Sequence, residues 1–387
     1  HGDVQEALRQ AAAMADRSRL LELLDRHGYP ILARSEFASF ARWLEHVPDP
    51  LARPWPMFLV AVAWFRFQTQ RGPDLDALLG AIEVAIEAIG DDYPAPRLRE
   101  ARLHLGALRA FAFRIADRLE EAVEAGETAL ATLPAGATAI RGILEFNMGA
   151  VHLRLANTGR ARSHLEAGFD ANLQSGAAYL VLAGLAHLGY LASLTEGLAV
   201  ARQRLEGAVE FARERKLEGV PAFAIVLYQL AKVHYLADEL DPARPLLERA
   251  VDLTRDERET DILANVRIHL ARVDTARGDL DAAERHLAAA TALAHGHNVK
   301  PFATSLDVER ARLAEARSGR LQAPESAPPS VEPEGRWSSV REAEVVLQLQ
   351  HLLKLDRREE AAGLAAVLRA ESEARDRGPA RCVARIA

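Results

Sequence analysis

The sequence ILANVRIHLARVDTARGDLDAAERHLAAATALA, residues 262–294, predicts two antiparallel helices joined by a tight turn at Gly278-Asp279. Apolar and small residues recur along both segments at the spacing of one helix face. Small residues on facing sides let two helix axes approach to about 8–9 Å. These small residues are Ala271 in the first helix and Ala283 and Ala290 in the second. A single hairpin cannot bury its own apolar stripe, so the stretch predicts further copies of itself.

Four further copies precede this hairpin along the chain. In each copy a small residue is followed by another twelve positions later and by a third seven positions after that. The earlier triplets are Ala110, Ala122 and Ala129; Gly149, Ala161 and Gly168; Gly189, Ala201 and Ala208; and Ala231, Ala243 and Ala250. Leucine follows the middle residue by four positions in the later copies, but the earliest has Gly126 there. The pattern predicts an all-α fold: a right-handed superhelical solenoid of antiparallel helix hairpins of tetratricopeptide (TPR) type, with repeats of ~40 residues.

The regular array is expected to span residues 97–320. Residues 1–96 predict less regular helical repeats, in which Gly28 and Pro30 should end the second helix. Together with the segments that follow, these repeats are expected to form one continuous solenoid.

A proline-rich stretch interrupts the pattern at residues 321–336, and proline cannot continue a helix. We expect an exposed loop there, followed by a terminal helix hairpin at 337–387. The chain begins with His1 rather than methionine, and its last helix is short. It is therefore expected to be a piece of a longer protein.

Composition disfavours several functional classes. The net charge is −7 and no basic stripe is present, so a nucleic-acid-binding surface is not expected. The single cysteine, Cys382, excludes a disulfide framework and fits a cytoplasmic location. We identify no 18-residue uncharged apolar run, so no membrane span is expected.

Motifs for catalysis and cofactor binding are also missing. The sequence has no phosphate-binding G-x-x-x-x-G-K-[ST] loop, no G-x-S-x-G and no H-E-x-x-H. His295 and His297 lack a third ligand at a recognisable spacing, which favours a solvated turn over a metal site. We therefore predict no enzymatic activity, no catalytic residue, no metal and no cofactor in this chain.

The inner face of the first helices is the candidate binding surface. In TPR proteins, positions at fixed offsets from the first small residue line the concave groove. The candidate ligand-binding residues at these offsets are His104, Phe111, Arg114, Phe146, Tyr190, Tyr228, Lys232, Tyr235, Asn265 and Arg272. Aromatic walls with a few cations suit an anionic or aromatic ligand, or an acidic peptide. The alternative is that these aromatic residues only pack the inside of a tight superhelix.

Both ends of the chain carry a family resemblance. The N-terminal features are Gly2-Asp3, Gly28, Trp43-Leu44, Val47-Pro48-Asp49, Ala63-Trp64 and Gly72. The C-terminal features are Trp337, the acidic-led helix start Arg341-Glu342-Ala343-Glu344, and the hairpin motif Asp356-Arg357-Arg358-Glu359-Glu360-Ala361. Together they resemble the large MalT-like, ATP-dependent LuxR-family transcriptional activators. Asp356 departs from the glycine that is usual in that motif.

The resemblance implies a sensor and oligomerisation domain. In such activators this segment lies between a nucleotide-binding switch module and a C-terminal helix-turn-helix module. It implies a small-molecule inducer as partner, the protein's own ATPase and DNA-binding modules, and self-association. The alternative hypothesis is a TPR scaffold that binds a protein or peptide partner and no small molecule.

Overall fold

The computed structural model describes most of the chain. The described residues are 2–13, 17–33, 36–47, 49, 55–69, 75–90, 93–116, 118–254, 260–296, 303–318, 349, 352–353 and 357–374. Seventeen helices and no strand occur within these ranges. The predicted loop at 321–336, most of the hairpin at 337–387, and the side chains of His295, His297 and Cys382 lie outside the described residues.

Between Ala95 and Gly296 the helices follow one another with short connections. The first nine are α1 (Gly2–Ala13), α2 (Arg17–Ala33), α3 (Phe37–Leu44), α4 (Pro56–Thr69), α5 (Leu75–Ala88), α6 (Ala95–Ile115), α7 (Leu119–Thr132), α8 (Thr138–Arg154) and α9 (Thr158–Ser175). The others are α10 (Ala178–Thr195), α11 (Leu198–Glu214), α12 (Phe223–Leu236), α13 (Leu240–Thr254), α14 (Thr260–Arg277), α15 (Leu280–Gly296), α16 (Ala303–Ser318) and α17 (Arg358–Ala374). The predicted all-α solenoid of helix hairpins is confirmed.

The chain divides into two compact units. Unit 1 comprises residues 1–148 and 167–180, and unit 2 comprises residues 149–166 and 181–387. In unit 1 the core runs through the irregular N-terminal helices into α6, α7 and α8. In unit 2 separate small clusters lie between successive hairpins, as expected of a repeat array.

The hairpin that decides the fold has the predicted form. Helices α14 and α15 meet at Gly278, whose φ of +82° is a conformation that glycine adopts without strain. Asp279 Oδ1 accepts a hydrogen bond of 3.1 Å from the backbone N–H of Ala282 and so caps α15. The small residues at the contact are almost fully buried: Ala271, Ala283 and Ala290.

Glycine replaces alanine where a leucine of the partner helix comes closest. A Cβ atom on Gly149 would lie 2.6 Å from Leu165 Cγ, and one on Gly189 would lie 2.4 Å from Leu205 Cδ2. Both distances are shorter than any carbon–carbon contact that a packed core accepts. The paired glycine and leucine therefore set the helix spacing in these two hairpins.

The earliest repeat solves the same packing problem differently. Gly126 occupies the position where the later copies have leucine, and a Cβ atom there would lie 2.1 Å from Met148 Sδ. Met148 is fully buried. The flexible methionine of α8 thus fills the space that leucine fills elsewhere.

Helix α2 does not end where we expected. It continues through Gly28 and Pro30 to Ala33, so the predicted stop was wrong. Gly28 instead permits a close contact, because a Cβ atom there would lie 3.0 Å from Phe40 Cε2. Burial of the residues that follow, with Ile31 fully buried, outweighs the hydrogen bond lost at the proline.

A buried carboxylate joins three segments of unit 1. Asp25 Oδ1 accepts a 3.0 Å hydrogen bond from the backbone N–H of Phe58, and Oδ2 accepts a 2.9 Å bond from the Tyr93 hydroxyl. The Arg97 guanidinium lies 3.2 Å from the same Oδ2. Burial raises the pKa of Asp25, while Arg97 and the hydrogen bonds oppose that shift. This carboxylate therefore ties α2 to the start of α4 and of α6.

One helix corrects the expectation about apolar runs. By length and composition, α10 is apolar enough to cross a bilayer, so the expected absence of such a run was wrong. Half of this helix is buried inside the protein. Its Gly189 packs against Leu205, as the first helix of a hairpin requires. The apolar character of α10 thus has an explanation in repeat packing.

Candidate functional site

Four of the predicted groove residues lie in unit 1, and His104 among them is fully buried. Its Nδ1 accepts a 3.2 Å hydrogen bond from Trp64 Nε1–H, and the Tyr29 ring lies 4.2 Å from it. Burial lowers the pKa of His104 to about 3, so the imidazole is neutral. The structure places His104 in the core of unit 1.

The other three predicted residues of unit 1 are also engaged in packing. The Phe111 ring meets Trp64 edge-on at 5.5 Å between centroids. The Arg114 guanidinium lies 4.3 Å from the Phe111 centroid, and its Nε–H donates a 2.6 Å hydrogen bond to Asn147 Oδ1. Phe146 is buried. In unit 1 these aromatic residues therefore form a packed interior.

Unit 2 brings the remaining predicted residues together. We call Tyr190, Tyr228, Lys232 and Arg272 the Tyr–Lys–Arg cluster; they come from α10, α12 and α14. Tyr228 and Lys232 are four residues apart and so share one face of α12. The Lys232 Nζ atom lies 4.6 Å from the centroid of Tyr190 and 5.4 Å from that of Tyr228. All four side chains remain partly exposed.

Lys232 is a cation between two aromatic rings. Within the described part of the chain, no carboxylate forms an ion pair with it. Burial lowers the pKa of Lys232 to about 8, and the nearby positive charge of Arg272 lowers it further. The two tyrosine faces stabilise the ammonium group in part, since each cation–π contact at a partly exposed site contributes about 0.5–1 kcal/mol.

His269 belongs to the same cluster, although the groove pattern did not identify it. Its ring lies perpendicular to Tyr228 at 4.9 Å. Nδ1 lies 3.0 Å from the backbone carbonyl of Asn265, and Nε2 lies 3.1 Å from Arg272 Nη1. The geometry assigns the proton to Nδ1, because Nε2 must accept from the guanidinium. Burial and the charges of Arg272 and Lys232 keep the pKa of His269 well below 6.5.

Arg272 connects the cluster to the next repeat. Its Nε–H donates a 2.8 Å hydrogen bond to Glu309 Oε1, and Nη2 lies 2.7 Å from the same oxygen. Arg312 Nη1 reaches this oxygen at 3.0 Å. Glu309 is only 2% exposed. A single buried carboxylate of α16 is thus shared by two guanidinium groups.

The sequence contains a signal for His269 and Glu309, which the groove offsets did not identify. His269 and Glu309 each lie two positions before a buried alanine of the first helix, Ala271 and Ala311. The same position is polar in the three preceding repeats as well: Asn147, His187 and Gln229. A polar residue at a fixed place in five consecutive repeats would have identified both.

A cleft of about 340 Å³ lies beside the cluster, along α12, α14 and α16. Its polar lining is formed by Tyr235, Arg272, Thr275, Glu309, Arg312 and Glu315. Of the two remaining predicted residues, Tyr235 lines the cleft, whereas Asn265 is not among the lining residues and contacts His269 through its backbone carbonyl. Among the described residues, no group of three or more His, Cys, Asp or Glu side chains could hold a metal ion. With Lys232, the surface has three cations and two carboxylates beside phenol rings and a neutral imidazole, and this excess of positive charge suits an anionic or aromatic ligand.

Comparison with known proteins gives consistent findings. A family model described as the MalT-like TPR region matches residues 104–384. The HTH-type transcriptional regulator MalT of Yersinia pestis is 26% identical over 291 residues, which are 75% of this chain and 32% of that protein. MalT of Serratia proteamaculans is 25% identical over the same shares. The chain therefore spans about a third of the length of these relatives.

Solved structures show the same fold at low identity. A Rap protein in complex with competence and sporulation factor has a TM-score of 0.59 and 13% identity, covering 97% of this chain and 99% of that one. The apo quorum sensor NprR of B. thuringiensis has a TM-score of 0.51 and 13% identity, covering 95% and 97%. These similarities support the helical-solenoid fold.

Proposed function

Since the chain belongs to the MalT-like TPR family, we propose that it is the effector-sensing and self-association segment of a bacterial transcriptional regulator. The regulators that it resembles are named HTH-type, so DNA binding is assigned to a module outside the matched region. An ATP-binding switch module, also outside this chain, would control self-association in a cytoplasmic protein.

The Tyr–Lys–Arg cluster is the proposed effector site. The observation that carries this assignment is Lys232, a partly exposed cation placed between Tyr190 and Tyr228 without a counter-ion in the described residues. A site that only packs would gain more from an apolar side chain at that position. The adjoining cleft adds space for the rest of a small molecule.

A regulator responds to its effector only when two states bind that effector with different affinity. The cluster is built from side chains on three different helices, so a change in the spacing of those helices would alter the site. We propose that effector binding favours the arrangement of repeats that self-associates.

A peptide effector is the second candidate. The Rap protein that shares this fold was solved with competence and sporulation factor, and a Rap conjugation gene regulator was solved with a Phr peptide. Residues on successive first helices of unit 2 would suit an extended ligand. Truncation of the ligand discriminates the two candidates, because a peptide loses affinity stepwise as residues are removed and a small molecule cannot be shortened in this way.

The test uses the full-length regulator with a promoter reporter and a panel of candidate inducers. We expect Lys232→Ala to weaken the inducer response by about tenfold or more, as for one lost charged contact. Its melting temperature should not fall. Lys216→Ala is the matched control, because Lys216 is an exposed lysine on the loop after α11. An inducer response that stays unchanged in both Lys232→Ala and Tyr228→Ala would contradict the proposed site.

A further inference from the structure

We propose that Lys232, held between Tyr190 and Tyr228, binds a carboxylate group of a small organic effector. The inference rests on the proposed function for the location of the effector, and it adds the chemical class.

Lys232 lies among charged and aromatic groups of the neighbouring helices. On α14, Arg272 is positive and His269 is neutral; on α16, Arg312 is positive and Glu309 and Glu315 are carboxylates that line the same cleft. Glu309 Oε1 already accepts from Arg272 Nε and Nη2 and lies 3.0 Å from Arg312. The aromatic groups beside them are the phenol rings of Tyr190, Tyr228 and Tyr235. The described surroundings therefore hold more positive than negative charge, and an anion would restore the balance.

The ammonium group of Lys232 has a defined position. Lys232 Nζ lies within 4.6 Å of one ring centroid and 5.4 Å of another, so the phenol faces hold it in place. Such fixation reduces the entropy lost when a ligand binds. The side chain is partly exposed, which leaves a direction from which a carboxylate can approach.

A purely structural role does not explain a lysine at this position. Burying a charge without a partner costs free energy, and the lowered pKa of Lys232 expresses that cost. A methionine could fill the same space between the rings without it. A residue that is unfavourable for the empty protein and well placed for a ligand is typical of a binding site.

The test measures Lys232 directly with three simple probes of similar shape. Benzoate carries a carboxylate, benzyl alcohol is neutral and benzylammonium is positive. The chain has four lysines, Lys216, Lys232, Lys300 and Lys354, so reductive methylation with ¹³C gives few signals by NMR. The Lys232 signal is assigned by its loss in Lys232→Arg, and the Lys216 signal serves as the internal control.

We expect benzoate to shift the Lys232 signal saturably and to raise the pH midpoint of its titration, because a bound anion favours the charged amine. Benzyl alcohol and benzylammonium should leave the signal unchanged. By isothermal titration, Lys232→Arg should retain benzoate affinity within about threefold, and Lys232→Met should lose about tenfold or more. Equal effects of benzoate and benzyl alcohol, or equal shifts at all lysines, would overturn the carboxylate site.

Failure of this inference is distinguishable from failure of the proposed function. If Tyr228→Ala abolishes the inducer response while Lys232→Met preserves it, the effector site stands and the carboxylate class is wrong. If neither substitution changes the response, the effector site itself is wrong.

Discussion

Replacing Lys232 with methionine should stabilise the empty protein and weaken effector binding by about tenfold or more. Burial lowers the lysine pKa from 10.5 to about 8. Since one pKa unit corresponds to about 1.4 kcal/mol, keeping the folded-state lysine charged at pH 7 costs about 3 kcal/mol. Two cation–π contacts offset about 1–2 kcal/mol of this cost. Methionine has an unbranched side chain that can fill the same space without the cost of the buried charge. The free energy of unfolding should therefore rise by about 1–2 kcal/mol.

The pH dependence of this gain tests its electrostatic origin. The lysine pKa is lower in the folded protein, so the unfolded chain binds more protons between pH 8 and 10.5. The wild-type protein therefore gains stability as the pH rises through that window, whereas the methionine variant does not. The difference between the two proteins should shrink by about 1 kcal/mol from pH 7 to pH 9.

Urea unfolding followed by circular dichroism at pH 7, 8 and 9 measures these differences. Lys216→Met is the matched control and should change the free energy of unfolding by less than about 0.5 kcal/mol, as is usual for an exposed site. A Lys232→Met variant that is less stable than wild type would refute the reasoning. So would a stability gain that stays constant with pH.

Three further substitutions probe the contacts that shape the two units. Asp25→Ala should lower the free energy of unfolding of unit 1 by about 3 kcal/mol, measured by urea titration, because the partly buried Arg97 and a backbone N–H lose their buried acceptor. Gly126→Leu should destabilise by about 1–3 kcal/mol through overpacking, and adding Met148→Ala should recover part of the melting temperature. Glu309→Gln should weaken the hydrogen bonds from Arg272 to α16, and a charged hydrogen bond contributes about 1.5–3 kcal/mol. Amide hydrogen exchange in α16 should therefore become about tenfold faster. Unchanged exchange would show that this pair does not stabilise the helix.

The helix hairpins are predictable from sequence because their contacts are periodic and local. Small residues at offsets of twelve and seven recur in every copy, and those of the hairpin α14–α15 are buried at its contact. Each offset follows from helix length and turn length, which a single hairpin contains. The repeat pattern therefore needs no information from distant parts of the chain.

Compensation between neighbouring helices is harder to predict. Gly126 breaks the leucine pattern, and only the structure shows that Met148 of α8 fills the space. Gly28 and Pro30 are local stop signals, yet α2 continues because packing against Phe40 and burial of the next turn outweigh them. In each case a contact with another helix outweighs the local preference.

The candidate site was predictable only in part for a related reason. General TPR offsets selected Tyr190, Tyr228, Lys232 and Arg272, which the structure brings together in unit 2. The same offsets also selected His104, which the structure buries in the core of unit 1. An offset fixes the direction in which a side chain projects from its helix. The neighbouring helix determines whether that side chain is exposed to solvent or buried in a packed contact.

The polar position shared by consecutive repeats gives the site a connection beyond its own helices. In two places an arginine of one first helix donates to this position in the next repeat: Arg114 to Asn147 within unit 1, and Arg272 to Glu309 within unit 2. The positive charge of Arg272 also contributes to the lowered pKa of Lys232. An anion bound at Lys232 therefore interacts with the same guanidinium that holds α14 to α16. Because a ligand shifts an equilibrium only through contacts that differ between states, this shared arginine is the physical link by which binding would alter the packing of adjacent repeats.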